Sequence, residues 1–227
     1  MDRPDSRGED PRVNRFSFPA PLRRLLVIGA HCDDIEIGCA GTVMRLVDRY
    51  PRGRFVWVTL SSDPQREAET RAAASRLLGA VAQREVFVER FRGSYFPACV
   101  TELKDYFEGL KQFEPNLVLT HCRHDLHQDH RIVNELTWNT FRNHGILEYE
   151  IPKFDGDLAV PNVYVGLSRE QLRRKCDLLL ECFPSQSTKS WFTRDTFEAL
   201  ARLRGIECNA PHGVAEAFYG RKIVLGL

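Results

Sequence analysis

The sequence predicts a single α/β domain on a parallel sheet with right-handed crossovers. Three observations lead there. Four short apolar runs recur through the first half of the 227-residue chain, helical periodicity fills the gaps between them, and the first, second and fourth runs are almost continuously apolar. A strand covered on both faces has no solvent side to keep polar, so buried parallel strands read as unbroken apolar runs. A β-α-β-α-β-α-β order places such strands in one sheet with helices packed on it.

In chain order, MDRPDSRGEDPRVNRF is polar and mixes Pro, Gly and both charges, which predicts a flexible arm at 1–16 ahead of a domain at 17–227. Leu25–Ala30 (LLVIGA) is the first strand, and Thr42–Tyr50 puts Val43, Leu46 and Val47 on one helical face. Phe55–Leu60 (FVWVTL) is the second strand; Gln65–Leu78 is a helix rich in Ala, Arg and Glu, closed by Gly79. Val86–Phe91 is the third strand, and Val100–Phe113 is a helix carrying Val100, Leu103, Phe107 and Leu110 at helical spacing. Asn116–His121 (NLVLTH) is the fourth strand. After Glu150, Pro152, Pro161, Pro184 and Pro211 punctuate the chain. There we expect a short strand at Asn162–Leu167, a helix from Ser168 to Phe183 opened by a Ser168/Gln171 capping box, a helix over Arg194–Arg204 ending at Gly205, and a last strand at Arg221–Leu225. This half completes the same domain.

Composition narrows the function. The chain is 43% hydrophobic and 28% charged, enough apolar material for a core, and its net charge of +1 gives no overall field to gather nucleic acid or anionic membrane. No apolar run approaches the ~18 residues that cross a bilayer, and the N-terminus has no signal-peptide core. The seven cysteines are scattered, with no CxxC pair, which points to reduced thiols and a cytoplasmic location. The expected partner is a small molecule, neither nucleic acid nor membrane; homo-oligomerisation stays open.

Ligand sites in such sheets gather at the carboxyl ends of the strands. The first strand runs into His31-Cys32-Asp33-Asp34-Ile35-Glu36-Ile37-Gly38-Cys39-Ala40-Gly41-Thr42. His31 and Asp34 can turn toward one point as an imidazole–carboxylate metal pair, with Asp33 beside the ion but not on it. Burying three such groups is unfavourable unless a cation compensates. The fourth strand runs into His121-Cys122-Arg123-His124-Asp125-Leu126-His127-Gln128-Asp129-His130-Arg131, which holds four of the chain's seven histidines. His127 and His130 are one helical turn apart. Two clusters at one sheet edge suit a metal site with three protein ligands and an open position. Cys32 is the competing thiolate, but adjacency to His31 points it the opposite way if strand geometry persists.

HxDD followed by IEIGCAGT, with DLHQDHR some ninety residues on, resembles the PIG-L/LmbE-like N-acetylglucosaminyl deacetylases. Arg66–Glu69 resembles that family's RxxE helix, and Ala215–Phe218 (AEAF) its C-terminal signature. The resemblance implies a Rossmann-like sheet, one catalytic Zn2+ per chain, and a metal-dependent amide hydrolase that removes the acetyl group of an N-acetylated amino sugar or glycoconjugate. It implies His31, Asp34 and His130 as metal ligands, Asp33 as general base, His127 as the group that polarises or protonates at the amide, Asp129 as the residue orienting His127, and Arg66 as a substrate contact. Cys32 and Ala40 stand where the family usually has Pro and Gly. The loop Phe91–Pro97 lacks the acidic residue many relatives carry for sugar hydroxyls, so substrate recognition is expected to differ. The polar-aromatic segments Tyr149–Asp157 and Ser185–Trp191 fall outside the regular core pattern and are expected to set specificity.

Two other classes compete with this reading. A nucleotide-binding α/β domain would need a phosphate-cradling glycine loop, but neither GxGxxG nor GxxxxGK[ST] follows the first strand, and two aspartates there would repel phosphate. A non-catalytic module would have little reason to keep all six proposed metal and catalytic residues. A serine hydrolase is disfavoured because no GxSxG elbow occurs.

Overall fold

A computed structural model of the chain describes residues 22–223. The expected arm at 1–16 lies outside them, as does the end of the expected last strand. Seven strands form one sheet in the order β3-β2-β1-β4-β5-β7-β6. They are β1 (Arg24–His31), β2 (Arg54–Ser61), β3 (Gln83–Val88), β4 (Leu117–His121), β5 (Gly145–Tyr149), β6 (Val163–Gly166) and β7 (Ala215–Tyr219). β1 through β5 pair in parallel, and β7 runs antiparallel to both its neighbours. The mostly parallel α/β domain expected from the sequence is what forms.

The helices are α1 (Asp34–Arg49), α2 (Pro64–Leu78), α3 (Val100–Leu110), α4 (Gln128–Thr140), α5 (Arg169–Cys182) and α6 (Arg194–Glu207). Alternation along β1 sends Leu25 and Val27 to one face, against residues of α1, α2, α5 and α6. It sends Leu26 and Ile28 to the other, against α3 and α4. The chain steps outward from β1 through β2 to β3 and returns to β4 on the other side of β1. That reversal leaves a crevice beyond the ends of β1 and β4, where α/β sheets place their ligands.

Several elements differ from expectation. β3 begins three residues earlier than Val86, because an edge strand need not be apolar along its whole length. α1 begins at Asp34 and not at Thr42; it is broken by non-helical dihedrals at Cys39, and the polar, glycine-containing segment before the break hides its helical period. α4 and β5 were not anticipated, and AEAF is strand β7. Arg221, Lys222 and Ile223 are not in a strand.

The break in α1 is held from the far end of the chain. Glu216, on β7, accepts the Gly41 N–H at 2.9 Å and the Thr42 N–H at 2.6 Å, donors that the break leaves without helical partners. Lys175, on α5, binds Glu216 Oε1 and donates to the Ile37 carbonyl, both at 2.6 Å. Gly38 and Gly41 permit the close packing here. A Cβ on Gly38 would lie 2.2 Å from the Tyr149 ring, and one on Gly41 2.6 Å from Leu167.

Candidate active site

His31 closes β1 and His121 closes the neighbouring β4, so the two clusters meet by strand pairing alone. Between β1 and α1 the chain turns through Asp33, whose φ of 97° is in the left-handed region. For a residue other than glycine this conformation costs about 1–3 kcal/mol, and such strain concentrates at functional sites. The turn brings Asp34 back so that its Oδ2 accepts the His31 N–H at 2.6 Å. On the other side, His127 caps α4, with its Nδ1 accepting the Asp129 N–H at 3.2 Å.

The central feature is a triangle of donor atoms. His31 Nδ1 lies 3.2 Å from His130 Nε2 and 3.4 Å from Asp34 Oδ2, and His130 Nε2 lies 3.5 Å from Asp34 Oδ2. A tetrahedral zinc with bonds of about 2.0–2.2 Å separates its ligand atoms by about 3.4 Å. The three edges fit that requirement, so these residues suit the ion that the sequence resemblance implies. Two further imidazoles adjoin the triangle. His127 joins His31 and His130 in one group of clustered donor atoms, and His121 joins Asp34 and His130 in another. His121 is also engaged elsewhere, with Nε2 3.0 Å from the Ala30 N–H.

Both imidazoles of the triangle are backed by carboxylates. His31 Nε2 is 2.9 Å from Asp129 Oδ2, and His130 Nδ1 is 2.8 Å from Asp125 Oδ2. Each carboxylate takes the N–H on one ring nitrogen and leaves the other nitrogen's lone pair facing the triangle, the usual support of a metal-bound histidine. Asp129 was expected to orient His127. Its carboxylate instead meets His31 and the backbone N–H groups of Ser94 (2.5 Å) and Phe96 (3.1 Å), while only its own N–H reaches the His127 ring. The loop after β3 thus closes on Asp129, and within it Arg92 stacks over Tyr95 at 3.6 Å.

The electrostatics separate two adjacent aspartates. Burial is the largest influence on both and favours the neutral acid. For Asp34 the His130 and His121 imidazoles overcome it and hold the carboxyl well below its ordinary range. Asp33 is raised to about 7 by burial and by Asp34, against the pull of Arg66 and Lys189. Burial would lower His31, but the hydrogen bonds and charges of Asp129 and Asp34 outweigh it and raise the group to about 9: the site calls for positive charge. His130 is lowered to about 3 by burial and by His121. His127 is also lowered, by burial and then by His31. Cys32 is pushed up to about 12 by burial, and Cys39 is likewise raised by burial, which disfavours thiolate ligands.

Arg66 is paired inside the protein. Its guanidinium donates to Asp33 Oδ1 at 2.9 Å and to the Cys32 carbonyl, while its buried Nε has no hydrogen-bond partner. Sequence reasoning gave no individual role to Asp125, and to Lys153 and Tyr149 only membership of a segment expected to set specificity. Lys153 lies 3.1 Å from Asp125, and Tyr149 donates to the Ile28 carbonyl at 2.6 Å. The Asp125–His130 spacing within DLHQDH was the one available signal for the first of these.

The fold is similar to those of several solved proteins. An N,N'-diacetylchitobiose deacetylase from Pyrococcus horikoshii is 19% identical with a TM-score of 0.69, over 91% of this chain and 87% of that one. A conserved protein from Thermus thermophilus is 20% identical with a TM-score of 0.67, covering 91% and 98%. The 4-carboxy-2-hydroxymuconate hydratase of Pseudomonas putida is 15% identical with a TM-score of 0.68, covering 91% and 100%. At these identities the likeness is one of fold, and it spans two reaction types. The sequence is more specific: the profile of the PIG-L family, described as GlcNAc-PI de-N-acetylase, matches residues 26–141, just over half of the chain and both clusters, and the chain belongs to that family.

Proposed function

We propose that this protein is a zinc-dependent amide hydrolase, with one zinc per chain, that removes the acetyl group from an N-acetylated amino sugar or a soluble glycoconjugate. The observation that carries the proposal is the donor triangle of His31, Asp34 and His130, with Asp33 and His127 beside it. The family's described activity supplies the amide and the amino sugar.

When bound, the zinc supplies Lewis-acid chemistry and brings the pKa of a water down to around 7. Asp33 accepts the proton of the attacking water. With Nδ1 accepting the Asp129 N–H, neutral His127 carries its proton on Nε2 and offers that N–H as a hydrogen bond to the oxyanion that develops from the acetyl carbonyl. Asp129 and Asp125 fix the orientation of His31 and His130. The departing amine takes the proton that Asp33 accepted from the attacking water. Arg66 holds Asp33 in place and offers the rest of its guanidinium to the sugar or to an anionic group on it.

The test is a deacetylation screen over N-acetylglucosaminyl glycosides, nucleotide sugars and small conjugates, with acetate and free amine both measured. Equimolar release of the two is the expected result. No acetate from any of them with zinc-loaded protein would contradict the proposal, and hydration of an unsaturated acid instead would align the chain with the hydratase that shares its fold.

A further inference from the structure

The two segments singled out as lying outside the core pattern meet, and each is tied to one flank of the site. Lys153 reaches Asp125, the carboxylate behind His130, and also pairs with Asp157, whose other contact is the Leu126 N–H at 2.7 Å. On the other flank, the Ser185 N–H and hydroxyl donate to Glu69 at 3.0 and 2.6 Å. Glu69 lies one helical turn from Arg66, which holds Asp33. Between these anchors Phe154 and Trp191 meet edge to face, with centroids 6.2 Å apart and planes at 90°. The Lys189 ammonium stands 5.2 Å from the Trp191 ring. Phe154 is 75% exposed, although the side chain of its neighbour Lys153 is largely covered. A large aromatic side chain held in water by a covered, ion-paired neighbour presents a surface that its own fold does not use.

We propose that Phe154, Trp191 and Lys189 form a subsite for the part of the substrate that does not react: a flat ring, attached to the amino sugar, that carries an anionic substituent. The ring face packs against the aromatic pair, and the anion meets Lys189. Charge complementarity selects this occupant over a neutral apolar one, because the cation stands on the aromatic shelf itself. The assignment rests on the amino-sugar reading above and adds a requirement on what the sugar is attached to.

The experiment measures binding, so that turnover is not needed. Zinc-loaded Asp33→Asn protein is titrated calorimetrically with N-acetylglucosamine, its phenyl β-glycoside and its 4-carboxyphenyl β-glycoside. The expected order of affinity is carboxyphenyl, then phenyl, then the free sugar. Adding Trp191→Ala or Phe154→Ala should weaken both aryl glycosides about three- to tenfold and leave the free sugar unchanged, whereas Trp191→Phe should retain most of the gain. Adding Lys189→Gln should remove the advantage of the carboxylate, about threefold, and spare the phenyl glycoside. Equal affinity for all three ligands would overturn the subsite and leave the amino-sugar reading intact. Failure of all three to bind would remove that reading and the subsite with it.

Discussion

Residues 24–149 and residues 150–223 share one sheet, yet they meet the site in different ways. In the first region the proposed reacting groups sit on the ends of buried strands or in the turns just after them. His31 ends β1, Asp33 and Asp34 follow within three residues, and His127 and His130 follow β4 within nine. The second region contributes none of the donor triangle. It acts on the supports: Glu216 and Lys175 hold the break in α1, Lys153 backs Asp125, and Ser185 fastens the α2 turn behind Arg66. Chemistry is placed by short, rigid paths along the chain, and its precision is maintained by long-range contacts. Damage to the first region should therefore remove the reaction, and damage to the second should weaken the molecule or its recognition of substrate.

The largest effects should come from the triangle. His130→Ala or Asp34→Ala removes one vertex, and both zinc content by metal analysis and acetate release should fall to background. Full zinc occupancy in the His130→Ala protein would take that residue out of the ligand set. Asp33→Asn should keep the zinc and lower kcat about 10²–10⁴-fold. Asn tolerates the left-handed backbone at this position, so the loss would report the base and not the turn. Were zinc lost as readily as in Asp34→Ala, the division between ligand and base would be wrong.

The second region should answer in a different observable. Lys175→Met strands a buried Glu216 carboxylate and should destabilise the fold by about 3–5 kcal/mol in denaturant titrations. Its kcat, measured where the protein is still folded, should stay within about tenfold of the parent, a smaller loss than that expected for the general base. A kcat loss matching that of Asp33→Asn would break the division between regions. The smallest effect should sit where the regions touch. Asp125→Asn should weaken zinc about 10–100-fold in competition with a chelator, the size expected for a carboxylate behind a metal-bound histidine. Unchanged zinc affinity would remove Asp125 from the metal's support.

The same difference explains how much was legible. Continuously apolar runs gave away β1, β2 and β4, and the sheet rule alone brings the ends of β1 and β4 together. His31 and Asp34 could be nominated as a metal pair because they sit at and just after the end of β1, while His130, nine residues past β4, was picked out of its histidine-rich cluster by the family resemblance. Proximity in sequence paired Asp129 with His127, whereas the folded chain turns its carboxylate to His31, 98 positions away. Glu216 meets Gly41 across 175 positions and Lys153 meets Asp125 across a loop, and no local period or spacing encodes either contact. β5 and β7 escaped notice because the glutamates in GILEY and AEAFY interrupt the apolar pattern, yet Glu148 and Glu216 are buried and paired with Arg221 and Lys175.

The central claim is that the triangle holds a zinc on which the reaction depends. Its most direct test is a titration of metal-free protein with zinc, with acetate release from an N-acetylglucosaminyl conjugate measured at each step. Activity should start at background, rise with added zinc and reach its plateau at about one equivalent per chain, where one tetrahedral site is filled. Full acetate release by the metal-free protein, with no response to zinc, would contradict the account.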